Sequence, residues 1–341
     1  MKTAAVVFTA PGQVALQDID MPAPAPDEVQ IRTTYSTVSV GTEGWVFQNV
    51  FTWMPGGTPY PCVPGYQRAG VIEAVGSAVE GWKPGDHVMA TSGSWSGAVV
   101  PTWGSHVAVG NTRASELYRI PAGADPIDAS GAVVAQVGYN AAYRATYGAG
   151  DWVVVYGDGL IGQSAAQAAR TRKARVILVG HRPERLALAQ QFSADVALDS
   201  RHEDVVARVQ ALTGGTPVTA VLDSVQTEAA QRQYVPLLEH GRGQIVYCGF
   251  TSGKTWADMG LLQQRELTTH FISGWNRARM EATLQLMATG GMQLRPLITH
   301  LVSYEKAPEM YRMTLEKNAP FLGITLRWPE PLSTTSTTST T

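Results

Sequence analysis

One stretch, Asp151 to Gly162 (DWVVVYGDGLIG), restricts the fold more than any other part of the chain. Val153, Val154 and Val155 form an apolar, β-branched run of the kind that makes a strand buried on both faces of a parallel sheet. The run stops at Gly157-Asp158-Gly159-Leu160-Ile161-Gly162, and an Ala-rich, helix-forming segment, Gln163 to Arg170, follows. Strand, glycine turn and helix come in the order a dinucleotide site requires. Gly157 permits the tight turn, Gly159 lets a pyrophosphate approach bare backbone, and Gly162 lets the helix pack closely on the strand. The helix start adds unpaired N–H groups and a positive dipole end.

The pattern on either side divides the chain. Toward the N-terminus, short strand-like runs alternate with Pro and Gly: Ala4–Phe8, Glu28–Thr34, Val71–Val75, His87–Ala90 and Ser105–Val109. That pattern predicts a partly open β-barrel. From about residue 125 the chain alternates strands (152–156, 175–179, 196–198, 220–223, 243–248, 269–272) with helices (162–171, 183–192, 205–212, 226–238, 260–266). The alternation predicts an α/β fold with a doubly wound parallel sheet and ligand at the strands' carboxyl ends. A helix over 277–287, a run at 299–302, a helix over 304–316 and a closing strand over 323–328 complete the folded part. The closing strand is expected to return to the first domain. The expected domains are 1–124 with 292–328 for the barrel and 125–291 for the doubly wound sheet. Residues 329–341 (PEPLSTTSTTSTT) are low in complexity and expected to be disordered.

Composition narrows the function. A formal net charge of −2 gives no reason to expect nucleic acid or an anionic membrane as partner. No run of 18 apolar residues is present, and the start, MKTAAVVFTAPGQV, reads as a strand and turn rather than a signal peptide. Cys62 and Cys248 are the only cysteines, which excludes a disulfide framework and a four-cysteine zinc site and fits the cytoplasm.

Four segments, Pro64–Gly70 (PGYQRAG), Gly70–Gly76 (GVIEAVG), Gly81–Val88 (GWKPGDHV) and the glycine turn, together resemble the medium-chain dehydrogenase/reductase superfamily over about residues 1–328. The resemblance implies a GroES-like substrate domain, a Rossmann domain for a nicotinamide cofactor, a reaction in the cleft between them, and a homodimer. Zinc members carry a cysteine, a Gly-His-Glu and a second cysteine as ligands. Those positions fall here on Val40, on Gly65-Tyr66-Gln67 and near Val134. Valine binds no metal and a lone tyrosine is a poor zinc ligand, so no metal is expected. The stretch Ser36–Glu43 (STVSVGTE) with Pro64-Gly65-Tyr66 is most similar to zinc-lacking members near the bacteriochlorophyllide dehydrogenases.

Cofactor contacts follow from this frame. An NAD-binding member ends its second strand on an acid that holds the ribose hydroxyls. Here Gly180 takes that place, followed by His181, Arg182 and Arg185. Arg182 can bind a 2′-phosphate bidentately, which predicts NADP(H), against a merely solvated basic helix start. By position in the family, Ser224 and Val225, then Cys248, Gly249 and Phe250, then Ser273, Gly274 and Trp275 supply further contacts. Asp158, Leu160 and Ile161 belong to the turn itself.

Four residues are candidates for the chemistry. Thr42 stands where the family places a proton-relaying hydroxyl; a local backbone bond is its rival role. Tyr66 replaces the histidine ligand and is a donor to an oxyanion or a packing wall. Glu43 orients Tyr66 or Arg68, accepts a proton, or pairs structurally. His106 has a side chain suited to proton shuttling, yet a lone histidine in a strand is more often structural. Trp45, Trp53, Trp95 and Trp103 lie on turn-rich segments and are candidates to wall an apolar or aromatic substrate pocket. The leading expectation is an alcohol/carbonyl oxidoreductase. A C=C reductase on the same fold and a non-catalytic NADPH-binding protein are the alternatives.

Overall fold

Val153 to Val155 do become the centre of the molecule. In the computed structural model, which describes residues 1–255 and 257–329, Trp152–Tyr156 is an inner strand of a six-stranded, wholly parallel sheet. The strand order is Val196–Asp199, Arg175–Gly180, Trp152–Tyr156, Ala220–Asp223, Gln244–Tyr247, Thr268–Phe271. The three valines are fully buried and alternate between two apolar clusters, Val153 and Val155 on one face and Val154 on the other. Chain order reverses between Trp152–Tyr156 and Ala220–Asp223, and a crevice opens there at the carboxyl ends.

The first and last parts of the chain build the second body. Glu28–Thr37 pairs with Arg68–Val75, with Val109–Arg113 and with Gly323–Arg327, all antiparallel. The closing strand therefore does return to the first domain. Lys2–Ala10 pairs with Gln13–Asp20 in a separate four-stranded sheet. The low-complexity segment from residue 330 onward lies outside the described residues. Among the described residues, no helix is long and apolar enough to cross a membrane.

The elements that differ from expectation do so for identifiable reasons. The strand expected over Ser105–Val109 lies instead at Val109–Arg113, because Ser105 and His106 donate their N–H groups to Pro64 O in a bend. The helix Ala132–Arg144 has no counterpart in the sequence pattern. It is buried nearly all round, so it lacks the polar face that makes a helix legible. Its Gly138 packs on Ala165 and Ser164 of the helix Leu160–Thr171, where a Cβ would stand 2.5 Å from the Ala165 nitrogen. Val40–Phe47 is also helical despite Gly41 and Gly44, and tertiary bonds rather than propensity hold it.

A short helix, Pro126–Ser130, is tied to the far end of the chain by Asp128. One oxygen of this buried carboxylate accepts the N–H groups of Leu294 (2.9 Å) and Arg295 (2.5 Å). Burial pushes the Asp128 carboxyl up to about 6, against the pull of those N–H donors. Because the folded value lies above the unfolded one, Asp128 favours folding most below pH ~4, and that contribution is lost as pH rises through about 6. Asp128→Asn keeps an acceptor for both N–H groups and removes the titration. Relative to the Asn variant, the wild type should be more stable at pH 4 than at pH 7.5 by about 2 kcal/mol. Urea unfolding at both pH values checks this, and a difference that does not change with pH would contradict it.

Candidate active site

The glycine turn has the geometry its sequence demands. Gly157 adopts φ +117°, outside the range of most side chains. A Cβ on Gly162 would collide with the Gly157 carbonyl, so only glycine lets the helix lie this close to the strand. A Cβ on Gly159 would meet nothing within 4 Å, and that open space is where a pyrophosphate can reach the backbone. Gly159 caps the helix without a side-chain bond, so the first-turn N–H groups, beginning at Leu160 and Ile161, are left for a ligand. These features fit a dinucleotide.

The turn opens into one cavity of about 960 Å³. Ser224, Val225, Cys248, Phe250, Ser273, Gly274 and Trp275 line it from the carboxyl ends of the sheet. Gly249 does not line it. A Cβ there would lie 2.7 Å from Ser224 O, so this glycine spaces two loops. Gly162 likewise supports the cavity without lining it. Cys248 is a buried wall residue whose thiol is pushed well up by burial and by the nearby Asp223.

Charge is confined to one end. Among the described residues, the Asp, Glu, Lys and Arg side chains on the cavity wall are Asp158, Arg182 and Arg185, joined there by His181. Burial and the adjacent Arg182 push the His181 imidazole down. Arg185 is less available than its position suggests: its Nε, at 2.8 Å, and its Nη2 both donate to the Phe321 carbonyl. Arg182 is the half-exposed cation of the pair.

The other end is aromatic and carries hydroxyls. Tyr66 stacks on Trp275 (centroids 5.8 Å, 26°) and meets the edge of Trp103 (5.4 Å, 84°). Phe51 bridges Trp103 to Trp45 at 6.4 and 6.1 Å. Trp45 and Trp103 line the cavity, whereas Trp95 and Trp53 do not. Trp95 packs over Gly93 and Gly104 inside the barrel, its indole N–H on Val99 O at 2.9 Å. Trp53 is exposed outside the cavity, with its N–H on Thr251 O.

The Tyr66 hydroxyl donates to Ser39 Oγ, and Ser39 and Thr42 share the cavity wall with it. Burial pushes the Tyr66 phenol up to about 12, partly offset by the Ser39 bond. Ser39 occupies the N-cap position of Val40–Phe47 but makes no side-chain cap bond, so its hydroxyl is free for the cleft. Ser39 was not among the sequence candidates. A serine before a glycine-containing, weakly periodic helix gives no distinguishing signal.

Glu43 and His106 lie behind this wall and have no access to the cavity. The Glu43 carboxylate accepts Ser39 N–H (2.7 Å) and the Tyr311 hydroxyl, and pairs with His106 Nε2 at 2.9 Å. His106 Nδ1 bonds Ser36 Oγ at 2.8 Å. Neither residue reaches the reacting space, which corrects their candidacy for proton transfer. Arg68 does not meet Glu43 either. Its guanidinium is fully buried on Gly110 O and Thr112 Oγ1.

The three metal-ligand positions of the zinc-binding pattern carry two valines and this phenol. Gln67, in the acid's place, bonds Thr37 O and Val134 N. Among the described residues no three His, Cys, Asp or Glu side chains gather as a metal would need. The donor set does not fit zinc.

Two family models match the chain: "Alcohol dehydrogenase GroES-like domain" over residues 25–122 and "Zinc-binding dehydrogenase" over 161–289. An alcohol dehydrogenase of Cupriavidus necator is 27% identical, the match covering 87% of this chain and 90% of that protein. A 2-desacetyl-2-hydroxyethyl bacteriochlorophyllide A dehydrogenase of Cereibacter sphaeroides is 26% identical, with 91% and 94% covered. A Sinorhizobium meliloti dehydrogenase solved with NADP shares the fold at TM-score 0.81 and 20% identity, covering 96% of this chain and 99% of that one.

If Glu43 is a structural hub rather than a reacting group, Glu43→Gln should cost about 2–4 kcal/mol of stability, since it unbalances a buried ionic group. Nucleotide affinity of the folded protein should stay within threefold. Thermal unfolding and a binding titration check this; unchanged stability with a collapse of binding would contradict it.

Proposed function

Because the chain belongs to the medium-chain dehydrogenase/reductase superfamily, we propose that it is an NADP(H)-dependent, metal-independent oxidoreductase. On this reading it interconverts an apolar or aromatic alcohol and its carbonyl. The observation that carries the reading is the Tyr66–Ser39 hydroxyl pair, on the wall of the same cavity as the glycine turn. When bound, the nicotinamide supplies or takes the hydride. The chain's own residues must then hold the oxygen on which charge develops.

The proposed division of labour follows from the hydrogen bonds. Tyr66 keeps its proton at neutral pH, because burial holds its phenol up at about 12. It donates to Ser39, which leaves the Ser39 hydrogen to donate to the substrate oxygen. As that oxygen becomes an alkoxide, it is more basic than a phenolate, and the proton passes to it from the hydroxyl pair. Thr42 is half-buried on the same cavity wall and, on this reading, relays protons between the pair and solvent. Oxidation of the alcohol runs the same steps in reverse.

Substrate class is inferred from the aromatic end, where no charged side chain lines the wall. A flat, neutral substrate gains by displacing water from Trp45, Phe51 and Trp103. A phosphorylated or highly hydroxylated one would leave polar groups unpaired there. The NADP(H) preference draws on the absent strand-end acid and the half-exposed Arg182.

Tyr66→Phe should lower kcat for NADPH-driven reduction of aromatic aldehydes and ketones about 100-fold, the range for a lost proton donor. The NADPH Kd should stay within threefold. Steady-state kinetics over a panel of aldehydes, ketones and enones checks this. Unchanged kcat in the variant, or turnover of enones alone, would contradict the carbonyl mechanism.

A further inference from the structure

We propose that Asp158 sets how strongly the site distinguishes 2′-phosphorylated from plain dinucleotide, by holding and half-neutralising the cations at the end of the second strand. The proposal rests on the dinucleotide reading of the cavity, but not on which dinucleotide the wild type prefers.

The second strand ends on Gly180, yet an acid stands at that end all the same. A Cβ built on Gly180 would lie 2.6 Å from Asp158 Cβ and 2.8 Å from its Oδ2. The glycine turn thus supplies a carboxylate to the place the strand leaves empty. Oδ2 accepts the backbone N–H groups of His181 (2.9 Å) and Arg182 (3.0 Å). Oδ1 takes Arg182 Nη1 at 2.9 Å and Arg185 Nη1 at 3.4 Å. Burial resists ionisation of Asp158. The N–H of His181 and the charges of Arg182 and Arg185 outweigh it, so the carboxyl is held below its ordinary value and stays charged.

The consequence is electrostatic. Two guanidiniums against one carboxylate leave one net positive charge where a 2′-phosphate would sit. Arg185 is further committed to Phe321 O. A phosphate must therefore draw Arg182 away from Asp158 and tolerate a fixed negative charge behind it. A ribose hydroxyl faces no such opposition, since a carboxylate can accept from it. Asp158 works against the phosphate preference that Arg182 and His181 supply.

Asp158→Asn can keep its oxygen on the two backbone N–H groups, while its amide N–H₂ faces Arg182 and Arg185 as a second set of donors. Arg182 is released toward the cavity. In titrations of purified full-length protein, NADPH Kd should fall at least fivefold, and the ratio Kd(NADH)/Kd(NADPH) should rise at least tenfold. Arg182→Ala in the Asp158→Asn background should abolish that gain. A wild type that prefers NADH, with the ratio still rising in the variant, would remove the NADP(H) reading and leave the role of Asp158 standing. A ratio that stays flat or falls in a folded Asp158→Asn variant would overturn the proposal. Asp158→Ser removes the same charge with a smaller side chain and carries the same expectation. Failure of both variants to fold would also overturn it, because Asp158 would then be a folding residue.

Discussion

The buried Glu43 carboxylate is the constraint on which the reacting end of the cleft depends. A carboxyl group with no exposure to water must be met by hydrogen-bond partners or it destabilises its surroundings. Glu43 meets Ser39 N–H, His106 and Tyr311, which come from three separate parts of the chain. Those bonds fix the start of the Val40–Phe47 helix, and with it the Ser39 hydroxyl. His106 lies directly beneath Gly65, where a Cβ would stand 2.6 Å from its ring. The hub therefore sets the level of Tyr66, the next residue. Ser39 and Tyr66 meet because both rest on the Glu43 network, Ser39 through its backbone N–H and Tyr66 through Gly65 over His106.

A second division organises the rest of the cavity. Its charged groups sit at the strand end beside Gly180, and Trp45, Phe51, Tyr66 and Trp103 line its barrel end. The same wall thus offers hydrogen-bond donors and cations to a nucleotide and apolar surface to a substrate. Burying an aromatic ring of the substrate on such a wall contributes about 1–3 kcal/mol. On the proposed function, the hydroxyls of Ser39, Thr42 and Tyr66 at that end would fix which atom of the substrate faces the nicotinamide.

The sequence made the parallel sheet legible because its strands are short apolar runs closed by glycine or by helix starts. Strands 152–156 and 220–223 coincide with their sequence boundaries. The glycine turn was legible for a sharper reason: Gly157 and Gly162 answer distinct steric needs, and Gly159 leaves open space for a ligand. Helix Ala132–Arg144 was not, since burial on all sides erases periodicity. In the cleft, positions inherited from the family pointed to Tyr66 and Thr42, and both lie on the cavity wall. For Glu43 and His106 the sequence left a structural role open beside a chemical one, and burial in a shared network decides for the structural role, because residue type alone does not tell a buried network from an open one. Trp95 and Trp53 show the same limit, for a turn-rich segment can point its indole into the barrel or into solvent. Ser39 became visible only when its missing cap bond was seen in three dimensions.

The central claim is that protein hydroxyls occupy the place of a metal in this cleft. The direct test is elemental analysis of the active protein as purified, paired with its turnover before and after exhaustive chelation. The account predicts far less than one zinc per chain and unchanged NADPH-dependent turnover. One tightly held zinc per chain, with activity lost on chelation and restored by zinc, would contradict it.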